Sequence, residues 1–114
     1  MDDALALARR EALKSVETFR LGAAVVRRRA VVATGRNRTI NPCGLSSVHA
    51  EMDALWKTAL RSNLHLVVVR VLRDGSPALS KPCAACARAL ARMGVRKVTY
   101  TTGDPARPLA TAPV

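Results

Sequence analysis

His49-Ala50-Glu51 and, further along, Pro82-Cys83-Ala84-Ala85-Cys86 put the strongest constraint on this chain. Four side chains that bind metal or move protons sit in two short segments, and they act together only if the fold brings both segments to one place. The two cysteines lie three apart, so a helix opened by Pro82 presents both sulfurs on one face of its first turn. There the free amide groups and the helix dipole favour thiolate over thiol. Ser46 or Ser47 is placed to cap a second helix starting near Val48, with His49 in its first turn and Glu51 pointing elsewhere. Both helices must then begin at the same spot. One imidazole and two thiolates leave the fourth position of a tetrahedral zinc ion to water, as catalytic rather than structural sites do. Glu51 stands near such a site without being a ligand.

Length bounds the rest. With 114 residues the chain is large enough for one core and too short for two. It starts Met1-Asp2-Asp3, without a basic leader or a long apolar run, which predicts a soluble, intracellular protein, cytoplasmic or nuclear, with no membrane partner. Of three cysteines, two belong to the motif, so no even set remains for a disulfide framework and Cys43 is expected as a free thiol. Cys43 could approach the metal, but a further sulfur there would displace the water.

Apolar spacing predicts the order αββαβαβ. Asp2 to Thr18 reads as a helix with Leu5, Ala8, Ala12, Val16 and Phe19 on one face. Leu21–Val26 and Ala30–Ala33 read as strands joined by a tight Arg27-Arg28-Arg29 turn, with Gly35 ending the second. Val48 to about Ser62 is a helix lined by Met52, Leu55, Trp56 and Ala59, which places Trp56 in the core. His65–Leu72 is a strand buried on both sides and stopped by Asp74-Gly75, and His65 reads as a boundary or packed histidine. Cys83–Arg92 is a helix ended by Gly94, and Val95–Thr101 is a strand whose Tyr100 either packs or lines a pocket. Strands separated by such helices predict parallel neighbours in a mixed sheet with helices on its faces.

H-x-E with a downstream P-C-x-x-C resembles the signature of the zinc-dependent cytidine/deoxycytidylate deaminase superfamily, and the likeness runs from about Leu5 to Asp104. The resemblance implies a three-layer α/β fold with the two metal-binding helices side by side, their N-termini converging on zinc. Relatives usually add a further helix and a fifth strand. After Asp104 the segment Pro105 to Val114 reads as too short and too proline-rich for both. The expectation is therefore a sheet of about four strands, with 1–104 as the zinc domain and 105–114 as a tail.

The implied reaction is hydrolytic deamination of a cytosine nucleoside or nucleotide (cytidine, deoxycytidine or their monophosphates), giving the uracil form and ammonia. Zn2+ would be held by His49, Cys83 and Cys86, and lowers the pKa of bound water to about 7, while Glu51 carries protons to the ring nitrogen and the departing amine. By the same resemblance, backbone groups around Ala50 and Ser80 hold the base edge and Asn37 binds a sugar hydroxyl. Asn37 also reads as a plain turn residue after Gly35. Arg36 and Arg38 flank it and could bind a phosphate or a nucleic-acid backbone.

A formal charge of +11 points to a polyanionic partner. Against that, fifteen arginines beside four lysines and abundant alanine look compositional, and only Phe19, Trp56 and Tyr100 could stack on bases. Three readings stay open: an enzyme on free nucleosides or nucleotides, a deaminase of cytosine or adenine within RNA or single-stranded DNA, and a non-catalytic zinc-bearing interaction module, which has no need of Glu51. A homo-oligomer is also expected, since relatives self-associate and a short sheet leaves an edge to cover.

Overall fold

The computed structural model describes residues 2–39 and 47–114; Cys43 and Ser46 lie outside them. α1 (Asp2–Lys14) is followed by β1 (Arg20–Arg27), β2 (Ala30–Arg36), the two-residue strands β3 (Arg38–Thr39) and β4 (Ser47–Val48), and α2 (Ala50–Trp56). Then come β5 (Leu64–Val71), β6 (Pro77–Ala78), α3 (Ala84–Arg92), β7 (Val95–Thr101) and β8 (Leu109–Pro113). The main sheet runs β2-β1-β5-β7-β8, with β6 paired to β5. Among the described strands only β5 and β7 pair in parallel, joined through α3; β1 is antiparallel to β2 and β5, and β8 to β7. The sheet is mixed, as the αββαβαβ pattern predicts.

Two apolar faces make three layers. On one, Ala4, Ala8 and Ala12 of α1 pack on Ala24, Val26, Val67, Val69 and Val71. On the other, Ala50, Ala54 and Leu55 of α2 and Leu90 of α3 cover Ala23, Val25, Leu64, Leu66 and Val68. One glycine on each face allows close docking. A methyl on Gly22 would stand 1.9 Å from the Ala8 carbonyl oxygen, and one on Gly35 would stand 2.4 Å from the Ala54 nitrogen. Gly35 therefore does not end β2, which continues to Arg36; it is the seat on which α2 rests.

Both early helices stop sooner than their apolar patterns suggest. α1 ends at Lys14, leaving Val16 94% and Phe19 58% exposed, because the Ser15 hydroxyl turns away to Asn37 Oδ1 (2.7 Å) and accepts from the Glu17 amide. α2 ends at Trp56, where Arg61 donates to the carbonyls of Leu55, Thr58 and Leu60 and ties off the chain end of the helix. Trp56, expected in the core, is 59% exposed: Leu55 takes the buried side, and the next residue lies about 100° further round.

The expected absence of a fifth strand is corrected by β8, which pairs from Thr101↔Leu109 to Lys97↔Pro113. Proline argues against a central strand, but β8 lies at the sheet edge, where a missing amide need cost no ladder bond. A turn in which Asp104 Oδ1 accepts from the Ala106 amide, and Thr102 donates to the Pro108 carbonyl, brings the chain back. His65 packs as expected, its Nε2 2.7 Å from Thr99 Oγ1.

The β1–β2 hairpin closes on Arg28 and Arg29, with φ of 52° and 67°. Two successive left-handed residues match the twist of the strands, but side chains there cost on the order of 1 kcal/mol each. Replacing the pair by Asn-Gly is expected to raise the melting temperature, corresponding to about 1 kcal/mol of added stability. A lower Tm would mean that the two arginines hold the turn through contacts of their own.

Candidate active site

A cavity of about 670 Å3 opens where α2 and α3 begin and where β5 ends. His49, Glu51, Cys83 and Cys86 all line it, together with Asn37, Arg38 and Ser80. Neither motif starts its helix quite as spacing suggests. His49 is itself the N-cap of α2, its carbonyl accepting from the Asp53 amide at 3.0 Å, and its side chain makes no capping bond. Ser47, considered as a cap, belongs to β4. Cys83 is likewise the N-cap of α3, and its sulfur accepts from the Cys86 amide at 3.4 Å. Both side chains thus leave the chain just before a helix begins, which lets the imidazole and the sulfurs reach the same cavity.

The cysteines share their protons unequally. The Cys86 amide, and then the Cys86 thiol, hold the Cys83 thiol below its ordinary pKa. Cys86 is pushed up to about 11 by its hydrogen bond to Cys83, then by burial and by the negative charges of Cys83 and Glu51. A cation would favour deprotonation of both. Glu51 is only 8% exposed. Burial raises its carboxyl pKa, offset in part by its own amide and by the charge of His49. One imidazole and two sulfurs suit zinc in kind. Among the described residues, however, no three His, Cys, Asp or Glu side chains are drawn close enough to enclose a metal. The structure brings the donors to one cavity and stops short of a closed coordination shell.

The residues expected at the substrate divide. Asn37 lines the cavity, but its Oδ1 accepts from Ser15 Oγ and from the Leu21 amide (2.9 Å), and its Nδ2 donates to the Phe19 carbonyl. It ties the end of α1, the entry to β1 and the end of β2 together. Ser80 is buried; its Oγ bonds the Val68 carbonyl and accepts from the Thr101 amide, both at 2.9 Å, and its own amide donates to the Thr101 carbonyl. Ala50 is fully buried beneath Gly35 and does not line the cavity.

Arg36 and Arg38 do not act as a pair. Arg36 turns to the α1 side, where Nη1 meets Glu11 Oε2 at 3.3 Å, and it does not line the cavity. Arg38 does, but its Nε and Nη2 hold Asp53 Oδ1 at 3.2 and 3.1 Å. Burial alone would raise the Asp53 pKa; the Arg36 amide, Arg38 and Lys57 together outweigh it and hold the carboxyl below its ordinary value. Wall residues that sequence did not point to include Leu21, Phe19 and Arg70. Arg70 did carry a signal, as the one charged residue inside the apolar run Leu66–Val71.

A histidine, a glutamate and a cysteine pair thus face one cavity at two helix starts on a mixed sheet. The family described as the cytidine and deoxycytidylate deaminase zinc-binding region matches residues 1–102, and the chain belongs to it. Membership carries the class of reaction, deamination of a nucleoside or nucleotide.

Solved structures share the fold. The dCMP deaminase of cyanophage S-TIM5, determined in complex with dCMP and dUMP, is 22% identical with a TM-score of 0.68, over 89% of this chain and 79% of that one. Cytidine deaminase from Burkholderia pseudomallei is 22% identical with a TM-score of 0.71, over 98% and 91%. Cytidine deaminase from Mycobacterium tuberculosis is 26% identical with a TM-score of 0.61, over 94% and 86%. No curated protein matches. No helix among the described residues is long and apolar enough to cross a membrane.

Proposed function

We propose that this chain is a zinc-dependent hydrolase that converts a cytosine nucleoside or nucleotide to its uracil form with release of ammonia. The observation that carries the reading is the meeting of His49, Glu51, Cys83 and Cys86 on one cavity. His49, Cys83 and Cys86 would hold the metal; zinc, when bound, supplies a Lewis acid that makes water nucleophilic near neutral pH. Glu51, buried beside them and with a raised pKa, is suited to take a proton and deliver it to the ring nitrogen and then to the leaving amine. The polar ends of the wall, at Asn37 and Ser80, are locked by internal hydrogen bonds, so they present fixed surfaces rather than adaptable ones. The complex of the cyanophage relative with dCMP and dUMP supports a small pyrimidine nucleotide as ligand.

The experiment is metal analysis coupled to ammonia release. The purified chain is expected to carry one zinc, lost or greatly weakened in Cys83→Ser, with ammonia released from at least one of cytidine, deoxycytidine, CMP and dCMP. A full equivalent of tightly bound zinc in Cys83→Ser would remove Cys83 from the ligand set. Turnover confined to oligonucleotides would favour the nucleic-acid reading, which the +11 charge supports and which predicts steeply salt-dependent binding.

A further inference from the structure

Arg70 sits near the end of β5, on the strand face that carries Leu64, Leu66 and Val68, where the sheet meets the cavity. Its guanidinium carbon lies 4.6 Å from the centre of the Phe19 ring. Among the described residues the ion pairs use Lys14, Arg36, Arg38 and Lys57, so Arg70 has no carboxylate partner. Its Nε is buried without a hydrogen-bond acceptor. A half-buried cation with an unmet donor is a cost to the ligand-free protein, and an anion in the cavity would offset it. The other arginine of the wall, Arg38, is already engaged by Asp53, a carboxylate it shares with Lys57.

The Phe19 ring gives Arg70 a fixed seat. A guanidinium lying over an aromatic ring keeps its N–H groups in its own plane, free to bond two oxygens of a phosphate at once. The cavity, about 670 Å3, has room for more than a bare base. Sequence spacing points to Arg36 and Arg38 for a phosphate; their carboxylate partners, and the lack of one for Arg70 among the described residues, point away from them.

We propose that Arg70, seated on Phe19, receives a phosphate borne by the sugar of the substrate, so that the cavity selects a cytosine nucleotide over the nucleoside. The proposal rests on the deaminase reading above. The phosphate could be terminal, as in a free mononucleotide, or internal to a strand, and the chemistry of recognition is shared.

The test compares kcat/KM for deoxycytidine, dCMP and a single-stranded oligonucleotide with one cytosine, in the wild type and in Arg70→Gln. Wild type is expected to prefer dCMP over deoxycytidine, and Arg70→Gln to reduce that ratio about ten- to a hundredfold, as for lost charge-assisted hydrogen bonds. Calorimetric titration with deoxyuridine, dUMP and inorganic phosphate reads the same preference without turnover. Thermal melts establish that the variant is folded; if it is not, Phe19→Leu, which removes the seat and keeps the charge, should lower the ratio instead. An oligonucleotide preferred over dCMP, with the same dependence on Arg70, supports the proposal with a strand as the source of phosphate.

A wild type indifferent to the phosphate, or an unchanged ratio in folded Arg70→Gln, overturns the proposal. If no cytosine compound is turned over, the deaminase reading fails. A preference for dUMP over deoxyuridine that disappears in Arg70→Gln would still assign the anion site.

Discussion

Glu51→Gln is expected to lower turnover by about 10²- to 10⁴-fold while leaving bound zinc and the melting temperature essentially as they are. The amide has nearly the shape of the carboxylate but cannot take a proton and return it. Stability should not suffer, because a carboxylate 8% exposed is disfavoured by burial, and the neutral amide carries no such cost. Loss of zinc in this variant would make Glu51 a ligand. Undiminished turnover would take it out of the reaction.

The second large effect concerns the scaffold. Gly22→Ala is expected to cost at least about 3 kcal/mol, because the added methyl would stand 1.9 Å from the Ala8 oxygen and 2.4 Å from the Ala12 nitrogen. These are backbone atoms of α1, so the helix must lift off β1 as a body. The drop in Tm should exceed about 10 °C. A variant melting within a few degrees of the wild type would show that α1 is not seated on β1 as described.

Elements with hard stops at both ends were legible in the sequence. Val95–Thr101 is a strand over the bounds its pattern predicts, since Gly94, at φ 88°, ends α3 and the chain then runs straight into β-branched residues. The meeting of the two motifs at one cavity was legible as well, because their side chains act together only if α2 and α3 begin beside one another. α2 was overextended because Ala59 and Leu60 continue its apolar rhythm, whereas the real stop is made by a guanidinium five residues beyond Trp56. β8 was missed because proline was weighed as if the strand were central. The pairing of Arg36 with Glu11 and of Arg38 with Asp53 was beyond reach, since the partners lie in helices on opposite faces of the sheet. Only the sheet itself decides which arginine turns to which side.

Asn37 gives the site a division that bears on how substrates change over evolutionary time. The side chains at the starts of α2 and α3 are fixed by the main core, while the short segment carrying Phe19 is tied to the sheet by contacts of its own, among them the Asn37 amide, the Ser15 hydroxyl it receives and the stacking of Phe19 on Arg70. Residues 16–19 can therefore be replaced, lengthened or re-angled with little penalty to the helices that would hold the metal. A lineage built this way can inherit its chemistry unchanged and still redraw the cavity wall opposite those helix starts.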